Sequence, residues 1–204
     1  MSQPGPKVKR SRALGIALTP KAAKYMEKRP YPPGQHGRSR VGKASDYKIR
    51  LLEKQRLREQ YNVSERQMRR AFDEASRKAG KTGEILVSLL ERRLDAFVLR
   101  SGFARTIYQA RQFVSHRHFQ VNGQRVNIPS YRLKSGDFVQ VAPSSRSKPP
   151  MLFASTGGWA GEGQPPPYVE SHLGGLIARL VDIPQRSDIP VLCDEQLVVE
   201  YYSR

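Results

Sequence analysis

The sequence predicts an α+β protein: a helical domain completed by its C-terminal tail, a small module of two helices on a small sheet, and an extended basic segment. Three observations predict it. Apolar residues recur at helical spacing between about residues 46 and 115. The period then changes to two from Phe119 to Ala142. The first 45 residues are poor in apolar side chains, and Pro30, Pro32, Pro33, Gly34, Gly37 and Gly42 interrupt any helix among them.

Taken in order, residues 1–45 read as a basic extension that cannot bury enough apolar surface to fold alone and orders against a partner. Ser45-Asp46 then caps a helix to about Gln60, with Tyr47, Leu51, Leu52 and Leu57 able to face a core. Ser64 and Gln67 have capping-box spacing and open a second helix ending near Gly80, with Met68, Phe72 and Ala75 as its packing face. A third helix follows Thr82 and carries Ile85, Leu86, Leu89 and Leu90. Residues 46–91 thus form the first part of a helical domain.

Residues 92–155 form the module. Arg92-Arg93-Leu94-Asp95 leads a helix that stops at Gly102, and Thr106 with Gln109 makes a second capping box for a helix to about Ser115. Phe119 and Val121, the turn Asn122-Gly123, and Val126 read as a hairpin. A last strand runs from Asp137 to Ala142. Ser, Pro and Gly dominate from Ser144 to about Pro167, a linker in which Trp159 is an anchor. Residues 156–204 supply that linker, a helix-like stretch from Leu173 to Val181, and a strand-like run from Leu197 to Tyr202. The last run needs a partner surface, most simply the early helices.

Charge bounds the function. The 204 residues hold 36 Lys+Arg against 18 Asp+Glu, a net +18. Charge of that size repels itself in a compact fold, so a polyanion is the natural partner. It is also localised: residues 1–60 carry a net +12, residues 61–158 a net +10, and residues 159–204 a net −4. Cys193 stands alone, which excludes an internal disulfide and a cysteine-based zinc site and suits a reducing compartment. No apolar run approaches the ~20 residues of a membrane helix, and the start lacks a signal-peptide core. The expectation is a soluble, cytoplasmic protein.

RNA fits this charge better than the reading of a merely soluble basic protein. A-form helices hide base edges in a deep, narrow groove, so proteins read them through phosphates and 2′-hydroxyls with Arg and Lys held on rigid elements. Candidate contacts in the extension are Lys7, Lys9, Arg10 and Arg12, with Tyr31, Gln35 and His36 among them for stacking and hydrogen bonding. Lys48, Arg50, Lys54, Arg56 and Arg58 crowd the polar side of the first predicted helix. In the module, Arg105 and Thr106 stand at a helix start whose free amides suit a phosphate, and Tyr108, Arg111, Gln112 and Ser115 line the polar face behind them. His116 and Arg117 follow, and the hairpin region adds Gln124, Arg125, Asn127 and Arg132.

Two motifs point elsewhere and fail. Gly80-Lys81-Thr82 imitates the end of a phosphate-binding loop, but the first glycine of that pattern falls at Ala75, in a helix with no strand before it. His116 and His118 have no further metal ligand nearby in sequence, so a hydrogen-bonding or phosphate-contacting role is preferred. No carboxylate pair or Ser/Cys–His arrangement stands out, so an RNA-modifying or RNA-charging enzyme with an appended module is the weaker reading. A free regulatory RNA-binding protein would present the same surface.

The module resembles the RNA-binding module named after the fourth protein of the small ribosomal subunit. The residues that carry this are Arg92-Arg93-Leu94-Asp95, Gly102-Phe103-Ala104, Gln109-Ala110-Arg111-Gln112, Val114-Ser115-His116, Val121-Asn122-Gly123, Val126 to Tyr131 and Gly136-Asp137. The flanks extend the resemblance to the bacterial S-four family of small-subunit ribosomal proteins. They contribute Pro33-Gly34-Gln35-His36-Gly37, Ser45-Asp46-Tyr47, Glu53-Lys54-Gln55, Gly80-Lys81-Thr82-Gly83 and Glu200-Tyr201-Tyr202-Ser203-Arg204. The resemblance implies a module inserted in a helical domain and direct binding of small-subunit ribosomal RNA at a multi-helix junction. It further implies nucleation of subunit-body assembly, and decoding accuracy set through protein S-five. Arg38, Arg40 and Lys43 would line the messenger entry channel. Many members bind zinc through cysteines near the start. Here Ala22, Ala23, Tyr25 and Met26 occupy that neighbourhood, so the chain resembles the zinc-free branch, with no cofactor.

Overall fold

The computed structural model describes residues 5–39, 42–159 and 165–203. The helices are α1 (Lys7–Leu14), α2 (Pro20–Lys28), α3 (Asp46–Gln60), α4 (Glu65–Ala75), α5 (Thr82–Glu91), α6 (Leu94–Arg100) and α7 (Ile107–Ser115). Strands β1 (Phe119–Val121), β2 (Gln124–Arg125) and β3 (Phe138–Val141) follow, then α8 (Pro149–Ser155), β4 (Val169–His172), β5 (Ile177–Leu180) and α9 (Glu195–Tyr202). Two compact units result: residues 1–69 with 191–204, and residues 70–190.

In the first unit, α3 and α9 pack along each other and bury Leu57, Val198 and Tyr202. Ser45 caps α3 by accepting from Lys48 N, and the Ser64–Gln67 box caps α4 reciprocally, at 3.2 and 3.3 Å. The C-terminal run is a helix, not a strand. Asp194 caps it by accepting from the amides of Gln196 and Leu197, at 3.0 and 3.3 Å. Val198 and Tyr202 then share one buried face at a spacing of four. Reciprocal bonds between Gln60 and the Leu192 backbone, at 2.9 and 3.1 Å, stitch this segment beside α3.

The basic extension is also more ordered than its composition suggests. Thr19 accepts from Ala22 N, and Pro20 occupies the first position of α2. Gly15, at φ +69°, closes α1, and Leu14, Ile16 and Ala22 are buried. Arg56 donates to the Leu14 carbonyl at 2.8 Å, tying α1 to α3. Residues 29–39 stay irregular. A Cβ at Gly37 would stand 2.0 Å from the Pro32 carbonyl oxygen, so this turn requires glycine. Tyr47 faces outward at 57% exposure instead of joining the core.

The second unit holds an antiparallel sheet in the order β2-β1-β3-β5-β4. Phe119 pairs with Val141, Val121 with Val139, and Val139 with Ala178. These residues therefore share one face, which is buried together with Val169 and Leu180. Phe97, Phe103, Ile107, Ala110 and Val114 of the α6–α7 segment supply the rest of this core, and the Phe103 and Phe119 rings meet at 5.7 Å. Full burial of each Phe, Ile, Leu or Val side chain among them is worth about 1.5–3 kcal/mol. Asn122 (φ +49°) and Gly123 (φ +82°) make the expected tight turn.

Leu173 to Val181 is not a helix. Gly174, Gly175 and Leu176 (φ +54°) make a turn, and β5 alternates buried Ala178 and Leu180 with outward Arg179 beside β3. The expected linker carries α8, entered through Pro149, and the Trp159 indole donates to the Pro150 carbonyl at 3.1 Å. No helix among the described residues is long and apolar enough to cross a membrane.

Candidate nucleic-acid interface

The expected contact face of the second unit centres on α7. Thr106 accepts from Gln109 N at 3.2 Å, and Gln109 in turn accepts from Arg105 N at 2.8 Å. This cap uses amides that a bare helix start would offer a phosphate, but it leaves the Arg105 side chain exposed. Gln112, Ser115 and His116 are exposed, while Tyr108 and Arg111 are partly buried.

The partial burial of Arg111 has a cause. Asp95, fully buried at the start of α6, accepts from Arg93 at 3.0 and 2.7 Å and from Ala96 N at 3.0 Å. Arg111 reaches the same carboxylate at 3.6 Å. Burial raises the Asp95 carboxyl above its usual range against the pull of both guanidiniums. Burial likewise lowers the Arg111 pKa, with Asp95 opposing. Asp95 thus positions Arg111 on the α7 face. Arg93 and Asp95 open a helix in the sequence, and nothing there discloses that they also orient a third residue.

At the α7–β1 corner Arg117 is exposed and left-handed at φ +62°, a conformation that costs an L-residue about 1–2 kcal/mol. His118 Nδ1 meets Ser145 Oγ at 2.9 Å, and burial, with Lys148 and His116 nearby, lowers its pKa. No group of three His, Cys, Asp or Glu side chains that could hold a metal is found among the described residues. On the hairpin, Gln124, Arg125 and Asn127 are exposed, with Arg125 donating to Ser144 at 2.8 Å. Arg132 is ion-paired with Glu74, whose carboxyl is lowered chiefly by that contact.

The first unit redistributes the expected charge more sharply. Lys54, read as surface, is 3% exposed, bonds Glu65 at 2.8 Å and lies 4.7 Å from the Tyr201 ring centre. Arg50 bonds Glu200 at 2.6 Å. Arg56 pairs with Glu53, Arg10 with Glu59, and Arg58 with Glu59 and Glu65. Arg10, Arg50, Lys54 and Arg58 thereby tie α3 to α1, α9 and α4, while Arg56 and Glu53 pair within α3 itself. Lys9 and Lys48 remain exposed and Lys7 partly so.

Tyr31 was expected to be open for stacking, yet Arg12 and Arg38 lie 4.9 and 5.0 Å from its ring centre. The hydrogen bond from Arg38 to its hydroxyl, at 3.1 Å, lowers the Tyr31 pKa, aided by the charges of Arg38, Arg29 and Arg12. Arg12 also donates to the carbonyls of Tyr31 and Arg29, at 2.8 and 3.2 Å. Gln35, His36, Arg38 and Lys43 are exposed; Arg40 lies outside the described residues. Sequence reasoning passed over Arg66, Arg70 and Arg77, all exposed along α4 and the turn after it. Their spacing of four and seven was a legible helical face.

Comparison with known proteins places these features. The model of the family described as "Ribosomal protein S4/S9 N-terminal domain" matches residues 3–91, and that of the "S4 domain" matches residues 92–139. The "Small ribosomal subunit protein uS4" of Streptomyces griseus is 63% identical over 203 residues, covering 100% of this chain and 99% of the relative. The protein of the same name from Streptomyces coelicolor is 62% identical over 203 residues. That from Micrococcus luteus is 58% identical over 97% of this chain and 95% of its own length. With such identity over the whole length, the chain belongs to the uS4 family of bacterial small-ribosomal-subunit proteins.

Proposed function

We propose that this chain is a structural constituent of the small ribosomal subunit that binds its ribosomal RNA directly, nucleates assembly of the subunit body and works in the cytoplasm. The observation that carries this is the surviving basic surface. After the internal ion pairs are set aside, Lys9, Lys48, Arg66, Arg70, Arg77, Arg105, Arg117 and Arg125 remain exposed on folded elements. Positive side chains held on rigid backbone suit the phosphates of structured RNA. Arg111, held by Asp95, and the polar row Gln112, Ser115 and His116 supply directional contacts beside them.

In this reading Arg38, Arg40 and Lys43 are the basic contacts that face message at the entry channel. The acidic last quarter meets protein neighbours, protein S-five among them, and so bears on decoding accuracy. Sedimentation of a native lysate tests the assignment: the chain should run with small subunits, and confinement to light fractions would reject it. Affinity for junction RNA should also fall steeply with salt, by a slope of about −0.7 to −0.9 per phosphate neutralised. A nearly salt-independent affinity would remove the mechanism.

A further inference from the structure

The irregular segment after α2 borders an open hollow of about 410 Å³ lined by Arg12, Arg29, Tyr31, Gly34, Gln35 and Arg38. Three of these six residues are guanidinium-bearing and none is acidic. Arg12 and Arg38 both lie within 5.0 Å of one tyrosine ring centre, so they stand no more than about a Debye length (~10 Å) apart and still repel each other. None of the three arginines forms an ion pair among the described residues, in contrast to Arg10, Arg50, Arg56 and Arg58 close by. Where those four cations meet carboxylates, these three border open space.

The walls of the hollow are set before any ligand arrives. Arg12 spans the carbonyls of Arg29, Tyr31 and Pro32, Arg38 is fixed on the Tyr31 hydroxyl, and Gly37 locks the turn against Pro32. Gly34, at φ +108°, has nothing within 4 Å of where a Cβ would stand, so a ligand can approach the backbone closely. The Arg29 side chain makes no hydrogen bond or ion pair among the described residues and remains available to a ligand. Planar guanidiniums grip phosphate oxygens with paired hydrogen bonds. The open hollow has room for a phosphate group.

We propose that Arg12, Arg29 and Arg38, around Tyr31 and Gly34, form a preorganised oxyanion hollow that takes one phosphodiester of an RNA strand. Arg29 is its principal free ligand. This rests on the RNA-binding reading above, which already counts Arg12, Tyr31, Gln35 and Arg38 among its contacts, and adds Arg29 together with their joint use on one phosphate. The strand is either structured ribosomal RNA or single-stranded message, and the test separates them.

The test uses the full chain and Arg29→Ala, which removes no contact that holds the fold; Arg12 is left alone because it holds three carbonyls. Affinity is measured against salt for a junction RNA and for an oligouridine strand. Arg29→Ala should lower the magnitude of the log–log salt slope by about 0.7–0.9, one phosphate's worth, on the RNA that occupies the hollow. A fourfold rise in salt then weakens the variant about threefold less than the parent. Arg29→Lys should keep most of the slope and lose affinity, since it keeps charge without the fork. Lys24→Ala, an exposed charge on α2 outside the hollow, is the control.

A slope change on the junction alone assigns the hollow to ribosomal RNA, and one on oligouridine alone assigns it to message. An unchanged slope on both, or an equal change from Lys24→Ala, overturns the proposal. Inorganic phosphate is titrated in parallel against the Arg29 Nε–H and Tyr31 ring resonances. If the parent binds neither RNA, the RNA reading falls, and these resonances still decide the hollow: saturable shifts abolished by Arg38→Ala support it, and their absence refutes it.

Discussion

Glu65→Gln tests how the first unit uses its charge. Lys54 and Glu65 are partners at 2.8 Å with unequal surroundings: the lysine side chain is 4% exposed and the glutamate 45%. Removing the negative charge strands a buried ammonium that retains a neutral amide oxygen and the Tyr201 ring. Uncompensated buried charges cost about 3–5 kcal/mol. The half-open glutamate and the remaining acceptor reduce the expected loss here to about 2 kcal/mol. Lys54→Met removes the other partner and leaves a carboxylate in contact with water, the Tyr202 hydroxyl at 2.7 Å and Arg58 at 3.5 Å. Its methionine fills the buried volume, so the change should stay within about 1 kcal/mol. Hydrogen exchange of the α3 and α9 amides reads local stability, and 2 kcal/mol corresponds to roughly 30-fold faster exchange. If Lys54→Met is as costly as Glu65→Gln, the unequal burial does not govern this pair and the reasoning fails.

The same pair sets a pH dependence. Burial alone would raise the Glu65 carboxyl, but the bonds from Lys54 and Tyr202 outweigh it, so the folded-state pKa lies below the ordinary 4.5. Its contribution is therefore complete above about pH 4.5 and is lost as pH falls through the lower folded value. The parent should lose α3–α9 protection on acidification more steeply than Glu65→Gln, and parallel curves would contradict this. Arg117→Gly relieves a left-handed residue and should raise stability by about 0.5–1 kcal/mol in urea unfolding while weakening RNA binding; a destabilised variant would show that Arg117 carries no strain. Gly37→Ala should displace the turn and free the Tyr31 hydroxyl from Arg38, so its phenol titrates closer to the usual 10.0. An unmoved ultraviolet titration would mean the turn tolerates a Cβ.

What was legible in the sequence was local. The Ser45 cap, the Ser64–Gln67 box, the Asn122–Gly123 turn and the α7 packing face follow from neighbours within four residues, and the structure holds each of them. Errors arose where local signals were ambiguous. Leu197-Val198-Val199 has the apolar, β-branched look of a strand, and only the Asp194 cap and packing on α3 make it helical. Leu173 to Val181 reads as helix until β3 offers it an edge. The contact surface was legible in residue type but not in residue availability. Arg50 meets a carboxylate 150 positions away and Cys193 lies against the Glu53 carbonyl 140 positions away, and no spacing rule reveals such partners. The tail that closes the helical unit therefore also takes up Arg50, which its residue type alone leaves on the polar side of α3.

The most direct test of the RNA-contact account is ultraviolet crosslinking of the full chain in a native lysate, followed by mapping of the crosslinked peptides and nucleotides. The account predicts small-subunit ribosomal RNA attached within residues 105–127, at the α7 face, the Arg117 corner and the β1–β2 hairpin, with none at buried Lys54. Crosslinks confined to other RNAs, or absent from residues 105–127 while ribosomal RNA is attached elsewhere, would contradict it.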